Sequence, residues 1–153
     1  MKIVTRNFGE IEICEEDIID FYEGLPGFKE CHRFALLSEK DSPIAFLQST
    51  EDGEVSFVVV DATAYMPNYN PHVDESFIAP LGSYNPDTFL IYNIATVSQK
   101  LEDSTVNLKA PIVINAASKK GRQIICEDKE YSIKAPLFAD KGEKYAGINA
   151  QKR

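Results

Sequence analysis

Apolar residues along the chain come in short runs that are separated by turn-forming residues. The runs are rich in β-branched and aromatic side chains, and each is bounded by Gly, Pro, Asp, Asn or Ser, which is typical of β-strands. The pattern predicts five strands, at residues 34–37, 44–48, 55–60, 89–97 and 111–114.

Two further pairs of segments have the pattern of β-hairpins. Residues 1–6 are predicted to pair with 9–14, and residues 122–126 with 131–135 across the charged turn at 127–130. Two dipeptides are predicted to form tight turns between other strands, because Gly tolerates a positive φ. They are Asp52-Gly53 and Lys120-Gly121.

Helix signals are scarce. Residues 74–79 begin with an acidic turn, which a helix dipole favours, and Pro80 and Gly82 end the segment within two turns. Residues 15–22 are compatible with a helix, but a strand or an extended turn fits them better. Many short strands with so little helix predict an all-β (mainly β) fold, either a barrel or a sandwich.

The chain is long enough for one domain with a substantial core. It has 153 residues, of which 44% are hydrophobic, as in folded water-soluble domains. We expect a domain of residues 1–138 followed by a flexible tail at 139–153, which lacks an apolar period. The sequence contains neither a membrane-spanning apolar stretch nor the apolar core of a signal peptide. A cytoplasmic protein without a membrane partner is therefore expected.

Charge is distributed unevenly along the sequence. The net charge is −8, and residues 1–61 carry 14 acidic and five basic side chains, whereas residues 106–138 are net basic. This division predicts an acidic face and a smaller basic one. An acidic domain is a poor general binder of nucleic acid, because contacts to phosphate need positive potential.

Motifs for catalysis and cofactor binding are nearly absent from the sequence. The glycines form no phosphate-binding loop, and the two histidines are too isolated for a zinc site. Cys31 and His32 are adjacent, but neighbouring side chains on a strand point to opposite faces. We expect no cofactor and no metal. The three widely spaced cysteines, Cys14, Cys31 and Cys126, are expected to be free thiols.

The densest chemical feature is a cluster of carboxylates. Its members are Glu15, Glu16, Asp17 and Asp20, with Glu23 nearby. The cluster is interpreted as a solvated face or as a docking patch for a basic partner. A carboxylate-dependent hydrolase is a further alternative, but it would need one carboxyl in an apolar pocket that raises its pKa.

A small RNA-binding barrel is the other alternative. Such barrels combine a basic groove with exposed aromatic side chains. Four basic side chains lie between residues 109 and 122, but no aromatic residue lies among them, which weakens this interpretation.

A loop at residues 65–71 carries large side chains that fit a core strand poorly. They are Tyr65, Met66 and Tyr69, set among Pro and Asn. Aromatic and Met side chains are favoured at protein interfaces. The loop is therefore either a contact surface or a segment folded over one end of the barrel.

Several segments in fixed order resemble the flagellar assembly factor FliW family. The most specific are Gly-Leu-Pro-Gly-Phe at residues 24–28 and Asn-Leu-Lys-Ala-Pro-Ile-Val-Ile-Asn at 107–115. They are joined by residues 44–49, by Arg122-Gln123 and by residues 131–137, so the resemblance runs from about residue 2 to residue 138.

The resemblance implies a small antiparallel β-barrel-like single domain with one or two short helices, and no catalysis. It implies a protein that binds unassembled flagellin, and that binds and antagonises the translational repressor CsrA. Synthesis of flagellin would thereby be matched to its export. No direct contact with nucleic acid is expected, and the free protein is expected to be a monomer.

Two segments are candidates for contacting flagellin, whose terminal segments are amphipathic helices by this resemblance. One is the loop of Tyr65, Met66 and Tyr69. The other offers Val106 and Leu108 beside Asn107, a polar partner for helix side chains. The acidic cluster is the candidate for CsrA, a basic protein by the same resemblance.

Overall fold

A computed structural model of the chain describes residues 1–38, 41–83 and 85–138. The strands in these ranges are β1 (Lys2–Thr5), β2 (Gly9–Glu12), β3 (Ile18–Asp20), β4 (Arg33–Ser38), β5 (Ile44–Ser49), β6 (Ser56–Val60), β7 (Phe89–Thr96), β8 (Thr105–Val106), β9 (Ile112–Asn115), β10 (Lys120–Gln123) and β11 (Ala135–Pro136). The α-helix is α1 (Glu75–Ile78), and 3-10 turns occupy Glu15–Asp17, Ala62–Ala64, Ala79–Leu81 and Leu101–Asp103. The predicted tail at 139–153 lies outside the described residues.

Seven of the strands close into a barrel. They are hydrogen-bonded in the order β7-β6-β5-β4-β3-β10-β9, and β9 pairs with β7 to complete the ring. The pairing of β3 with β10 is parallel, and the other six pairings are antiparallel. The prediction of an all-β barrel is confirmed.

The barrel is filled by one face of each strand, as expected from the two-residue period of side chains. Along β4, Phe34 and Leu36 pack in the barrel core, whereas Ala35 and Leu37 pack on the outside. The largest fully buried core side chains come from several strands and from the segment after β3. They are Phe21, Leu25, Phe34, Leu47, Val59, Ile112 and Ile114.

The hairpin of β1 and β2 covers the outside of the barrel at β3 and β4. Ile3 and Ile11 are cross-strand partners in the hairpin. Together with Ile13 they pack against Ile18 and Ala35. The predicted N-terminal hairpin is present, and it supplies a second apolar layer to strands that would otherwise be exposed on that side.

A type II turn at residues 25–28 forms a corner between β3 and β4. The Phe28 amide donates to the Leu25 carbonyl at 2.8 Å, and Gly27 has a φ of 82°. Pro26 precedes Gly27 and favours the φ that the second position of such a turn requires. Leu25 is buried in the barrel core, and Phe28 stacks edge-on against Phe57. The Gly-Leu-Pro-Gly-Phe segment therefore positions core side chains.

The short helix lies over the outside of β9. The Asp74 carboxylate accepts a hydrogen bond from the Ser76 amide at 2.9 Å and caps the helix N-terminus. Ile78 packs with Leu81 and Val113. The prediction of a short helix near residues 74–79 is confirmed.

The second predicted hairpin is wrong. Instead of pairing with residues 131–135, β10 pairs with β9 through a turn at residues 116–119. Lys120-Gly121 lies within β10, and Lys119 takes the positive φ of the turn, at 61°. The charged residues at 127–130 do form a turn, but the segments on its two sides bond to different neighbours.

Substitution of Gly121 should destabilise the barrel. A Cβ at this position would lie 2.6 Å from Cε2 of Phe21, and overpacking a core in this way costs about 1–3 kcal/mol. The free energy of unfolding of Gly121→Ala should be measured in the wild-type and Phe21→Leu backgrounds. A smaller loss in the Phe21→Leu background is expected, and an equal loss in both would show that Phe21 is not the obstacle.

Candidate partner-binding surfaces

The carboxylates of the predicted acidic cluster all lie on the protein surface. Glu15, Glu16 and Asp17 form a single 3-10 turn between the N-terminal hairpin and β3, and Asp20 is the last residue of β3. All four residues are exposed. We call these four residues the acidic face. The structure therefore groups the residues that the sequence placed together.

Among the described residues, one carboxylate of the acidic face forms an ion pair. Arg33 donates to the Glu15 carboxylate at 3.2 Å, and both side chains are exposed. Such surface ion pairs contribute little to stability. Glu16, Asp17 and Asp20 form no ion pair with another described residue. Asp20 is the cross-strand partner of Arg33 and of Lys120, so basic residues flank the Asp20 end of this surface.

The two segments predicted to contact flagellin lie against each other. The Tyr69 hydroxyl donates to the Leu108 carbonyl at 2.7 Å and accepts from the Asn93 amide group at 2.9 Å. The Tyr69 ring packs edge-on against Tyr131, with ring centroids 4.8 Å apart. Burial raises the pKa of Tyr69 far above its ordinary value, so this hydroxyl keeps its proton.

Most side chains of these two segments are buried. Val106, Leu108, Met66 and Tyr69 are at most 9% exposed and belong to one apolar cluster, which we call the second core. Tyr65 is half-buried at its edge. The contact with flagellin stays a prediction. On the folded protein a partner would reach the half-buried Tyr65 and Asn107 and the loop backbone rather than the four buried side chains.

Residues 107–111 form a bulge between β8 and β9, and this bulge accounts for the residue types in the segment. Both β8 and β9 pair with β7, through Ala95 on one side and Tyr92 on the other. Residues 107–111 therefore stand opposite only Asn93 and Ile94 of β7. An irregular segment of this kind can be buried only if its backbone polar groups find partners elsewhere.

Every amide in the bulge has a hydrogen-bond acceptor. The Asn107 amide donates to the Ile94 carbonyl and the Leu108 amide to the Ser132 carbonyl, both at 2.9 Å. The Asn107 side-chain oxygen accepts from the amides of Lys109 and Ala110, at 3.1 and 3.0 Å. The fifth residue is Pro111, which has no amide hydrogen to satisfy.

The carbonyls of the bulge are also paired. Asn93 donates its side-chain amide to the Asn107 carbonyl, and Tyr69 donates to that of Leu108. The other three carbonyls accept from the amide of Cys126, the side chain of Gln123 and the amide of Ile124. Residues 124–126 bond to the bulge, and Ser132 bonds to it from the other side, which is why the predicted hairpin of 122–126 with 131–135 does not form.

A histidine and an aspartate form a clip that the sequence did not indicate. His72 Nδ1 lies 2.7 Å from the Asp128 carboxylate, and the His72 amide donates to the other oxygen at 2.6 Å. These bonds raise the pKa of His72 and lower the pKa of Asp128. Lys109 Nζ donates to the Asp128 carbonyl at 2.8 Å. The clip thereby joins His72 to Asp128 across 56 positions of sequence, and Lys109 ties both to the bulge.

Arg122 is held in a clamp rather than displayed as part of a basic surface. Its guanidinium donates to both oxygens of the Glu23 carboxylate, at 2.9 and 3.2 Å, and to the Phe77 carbonyl. It also lies over the rings of Tyr22 and Phe77, at 5.7 and 4.8 Å from their centroids. Sequence reasoning placed Glu23 with the acidic cluster and Arg122 with the basic stretch, and the structure joins them.

The described residues offer little for catalysis. No group of three or more His, Cys, Asp or Glu side chains in ranges 1–38, 41–83 and 85–138 could hold a metal ion. The two carboxyls with displaced pKa values are Asp74 and Asp128. Both pKa values are lowered, whereas a general acid needs a raised pKa.

The three cysteines are free thiols, with Cys31 and Cys126 buried and Cys14 exposed. In the part of the chain that the structure describes, no helix is long and apolar enough to cross a membrane.

The fold and surfaces define a small β-barrel protein with an acidic face and no metal-binding cluster among its described residues. Comparison with known proteins gives the family. A sequence model of the family described as FliW protein matches residues 2–137, and the chain belongs to this FliW family.

Curated relatives and a solved structure agree with that assignment. Flagellar assembly factor FliW of Thermoanaerobacter pseudethanolicus is 39% identical over 148 residues, covering 95% of this chain and 99% of the relative. Flagellar assembly factor FliW of Clostridium novyi is 41% identical over 141 residues, covering 92% of this chain and 99% of the relative. A crystal structure of the flagellar assembly factor FliW superposes with a TM-score of 0.85 at 37% identity, covering 93% of this chain and 100% of that one.

Removal of the Asn107 side-chain oxygen should destabilise the protein. Asn107→Ala leaves the amides of Lys109 and Ala110 without their acceptor, which costs about 1–3 kcal/mol for partly buried donors. Asn107→Asp is the matched control, because its carboxylate can accept the same two bonds. Urea denaturation should show a clear loss for Asn107→Ala and a smaller one for Asn107→Asp. Equal losses would contradict the role of this acceptor.

The clip of His72 and Asp128 should make stability depend on pH. The pKa of His72 is raised above 6.5, so its contribution is full below that pH and is lost as the pH rises through the raised value. The pKa of Asp128 is lowered below 3.8, so its contribution is lost only when the pH falls through the lowered value. Glu127 and Glu130 also act on His72 and raise its pKa.

The measurement is the difference in melting temperature between wild type and His72→Gln. We expect the wild type to have the higher melting temperature at about pH 5.5 and most of that advantage to be gone by about pH 9, above any modest upward shift of a histidine. A difference that does not change between these two conditions would contradict the electrostatic role of the clip.

Proposed function

We propose that this protein is a non-enzymatic flagellar assembly factor of the cytoplasm that binds unassembled flagellin and binds and antagonises CsrA. The observation that carries the proposal is membership of the FliW family over nearly the whole length of the chain. The described residues support it, because the acidic face is exposed and the candidate residues form no catalytic constellation in the part of the chain that the structure describes.

The acidic face is the proposed contact for CsrA. Its four carboxylates are exposed, and only Glu15 has an ion-pair partner among the described residues. A basic RNA-binding protein would be steered to this surface by charge complementarity. Once bound, the carboxylates would add negative potential near the RNA-binding surface and oppose its contacts with phosphate.

The rim of the second core is the proposed contact for flagellin. Tyr65 and Asn107 are half-buried there, while Pro67, Asn68 and Asn70 of the adjoining loop are exposed. An amphipathic helix that lies on this rim would meet an aromatic edge together with polar loop groups. The buried side chains below it hold the loop in place through the bond of Tyr69 to Leu108.

Two separate surfaces allow the partners to be tested separately. Purified protein should be titrated with monomeric flagellin and with CsrA, each alone, by calorimetry. We expect binding to both, and absence of binding to either partner would overturn that half of the proposal. A gel shift of bare RNA with this protein alone should show no binding.

Neutralisation of the acidic face should slow association with CsrA. The variant replaces Glu15 and Glu16 with Gln and Asp17 and Asp20 with Asn. The association rate at low ionic strength should fall by about tenfold or more, because electrostatic steering contributes on that scale. The difference should shrink in high salt, where charges are screened within about 3 Å at 1 M. Affinity for flagellin should change little.

The matched control removes four exposed carboxylates elsewhere. Glu75→Gln, Asp87→Asn, Glu102→Gln and Asp103→Asn change the net charge by the same amount and also lie on the surface. This control should associate with CsrA at close to the wild-type rate. If both quadruple variants are slowed equally, net charge rather than the acidic face governs the encounter.

A further inference from the structure

A groove of about 550 Å³ with a mixed apolar and polar lining lies on the outside of the barrel, next to the acidic face. Five apolar side chains line it: Phe8, Leu36, Leu37, Ile44 and Phe46. Its polar edge consists of Asp17, Ser38 and Ser42. Two of these residues also pack inward, Leu36 against the barrel core and Ile44 against the second core, so the groove adjoins both clusters.

The register of the sheet explains why this surface is apolar. Leu37 of β4 and Phe46 of β5 are cross-strand partners, and both side chains face away from the barrel core. Phe8, at the tip of the N-terminal hairpin, stacks edge-on against Phe46 with ring centroids 5.1 Å apart. The hairpin tip thus forms one wall of the groove but leaves Phe46 and Leu37 only partly covered.

The charged residues that the structure describes at the groove are acidic. Asp17 lines it, Glu16 precedes Asp17 in the same 3-10 turn, and Asp41 adjoins Ser42. All three carboxylate residues are exposed, and among the residues that the structure describes no Lys, Arg or His lines the groove. A ligand that fits this surface therefore presents apolar side chains to the groove and a positive charge to Asp17.

We propose that this groove docks a basic amphipathic segment of a partner protein. The apolar face of the segment covers Leu37 and Phe46, and one of its Lys or Arg side chains pairs with Asp17. Asp17 then belongs both to the acidic face, which steers the partner by its charge, and to the groove, which retains the bound segment. The inference rests on the proposed function only for the name of the partner, because the residues of the groove define the chemistry of the segment that it binds.

The groove can be tested without either proposed partner. The probe is a synthetic helical peptide of about 18 residues, with Leu at one face and Lys at the other, and its counterpart with Glu in place of Lys. Methyl NMR spectra of the labelled protein should show shifts at Leu36, Leu37 and Ile44 on addition of the Lys peptide. The Glu peptide should bind about tenfold more weakly or not at all.

Two variants separate the apolar and the charged contributions. Ser38→Trp fills the groove from its exposed edge, and Thr96→Trp adds the same side chain at the exposed end of β7, outside the groove. We expect Ser38→Trp, but not Thr96→Trp, to weaken binding of the Lys peptide about tenfold. Asp17→Asn should remove much of the preference for Lys over Glu while leaving the methyl shifts in place.

Several results would overturn the proposal. They are no methyl shifts in the groove, shifts caused equally by both peptides, and equal weakening by the two Trp variants. Self-association of the free protein through the groove, seen by analytical ultracentrifugation and abolished by Ser38→Trp, would replace the partner segment with a second copy.

Titrations of wild type and Ser38→Trp with flagellin and CsrA complete the test. If the Lys peptide occupies the groove but neither protein binds the wild type, the proposed function fails and the docking site stands. If both proteins bind wild type and Ser38→Trp alike and the peptide does not bind, the docking site fails and the proposed function stands.

Discussion

The bond from the Asn93 side chain to the Asn107 carbonyl marks the constraint on which much of the structure depends. Strand β7 must be paired along its whole edge for the barrel to close, yet its partner strand leaves the sheet for five residues. An unpaired edge at a buried position would cost several hydrogen bonds. The side chain of Asn93 replaces the missing ladder partner, and the excursion becomes a stable part of the fold.

That excursion organises the half of the protein beyond the barrel. Its carbonyls accept hydrogen bonds from Tyr69 and from residues 123–126, so two separate stretches of chain converge on it. The second core forms beneath these stretches. The most specific segment of the sequence therefore has a structural role that accounts for its residues: an Asn whose side chain accepts two amides, and a Pro that has none to donate.

The sequence predicted the elements whose partners are near in the chain or whose side chains alternate cleanly. The N-terminal hairpin, the strands around Phe34 and Val59, the turn at Gly27 and the helix capped by Asp74 all follow from local patterns. It failed at Lys120-Gly121, where the dipeptide resembles a turn but Gly121 is a strand residue that makes room for Phe21.

The candidate surfaces were predictable to the same extent. The acidic face is contiguous in sequence and was found. Three other features join residues that are far apart in the chain, so no spacing or motif predicts them. They are the clip of His72 with Asp128, the clamp of Arg122 with Glu23, and the groove. The burial of Leu108 was equally invisible, because an apolar residue next to Asn and Lys is typical of both a surface loop and a core bulge.

The parallel pairing of β3 with β10 has a consequence for how the protein is made. Asp20 pairs with Lys120, so the ring closes across 100 positions of sequence. During translation, the outer edge of β3 stays open until the strand that begins at Lys120 has left the ribosome. Contacts this distant in sequence slow folding, since the entropy of closing the intervening loop is lost before the contact forms. For that interval the nascent chain exposes a strand edge that can pair with other chains, and it is then that a molecular chaperone would have most to protect.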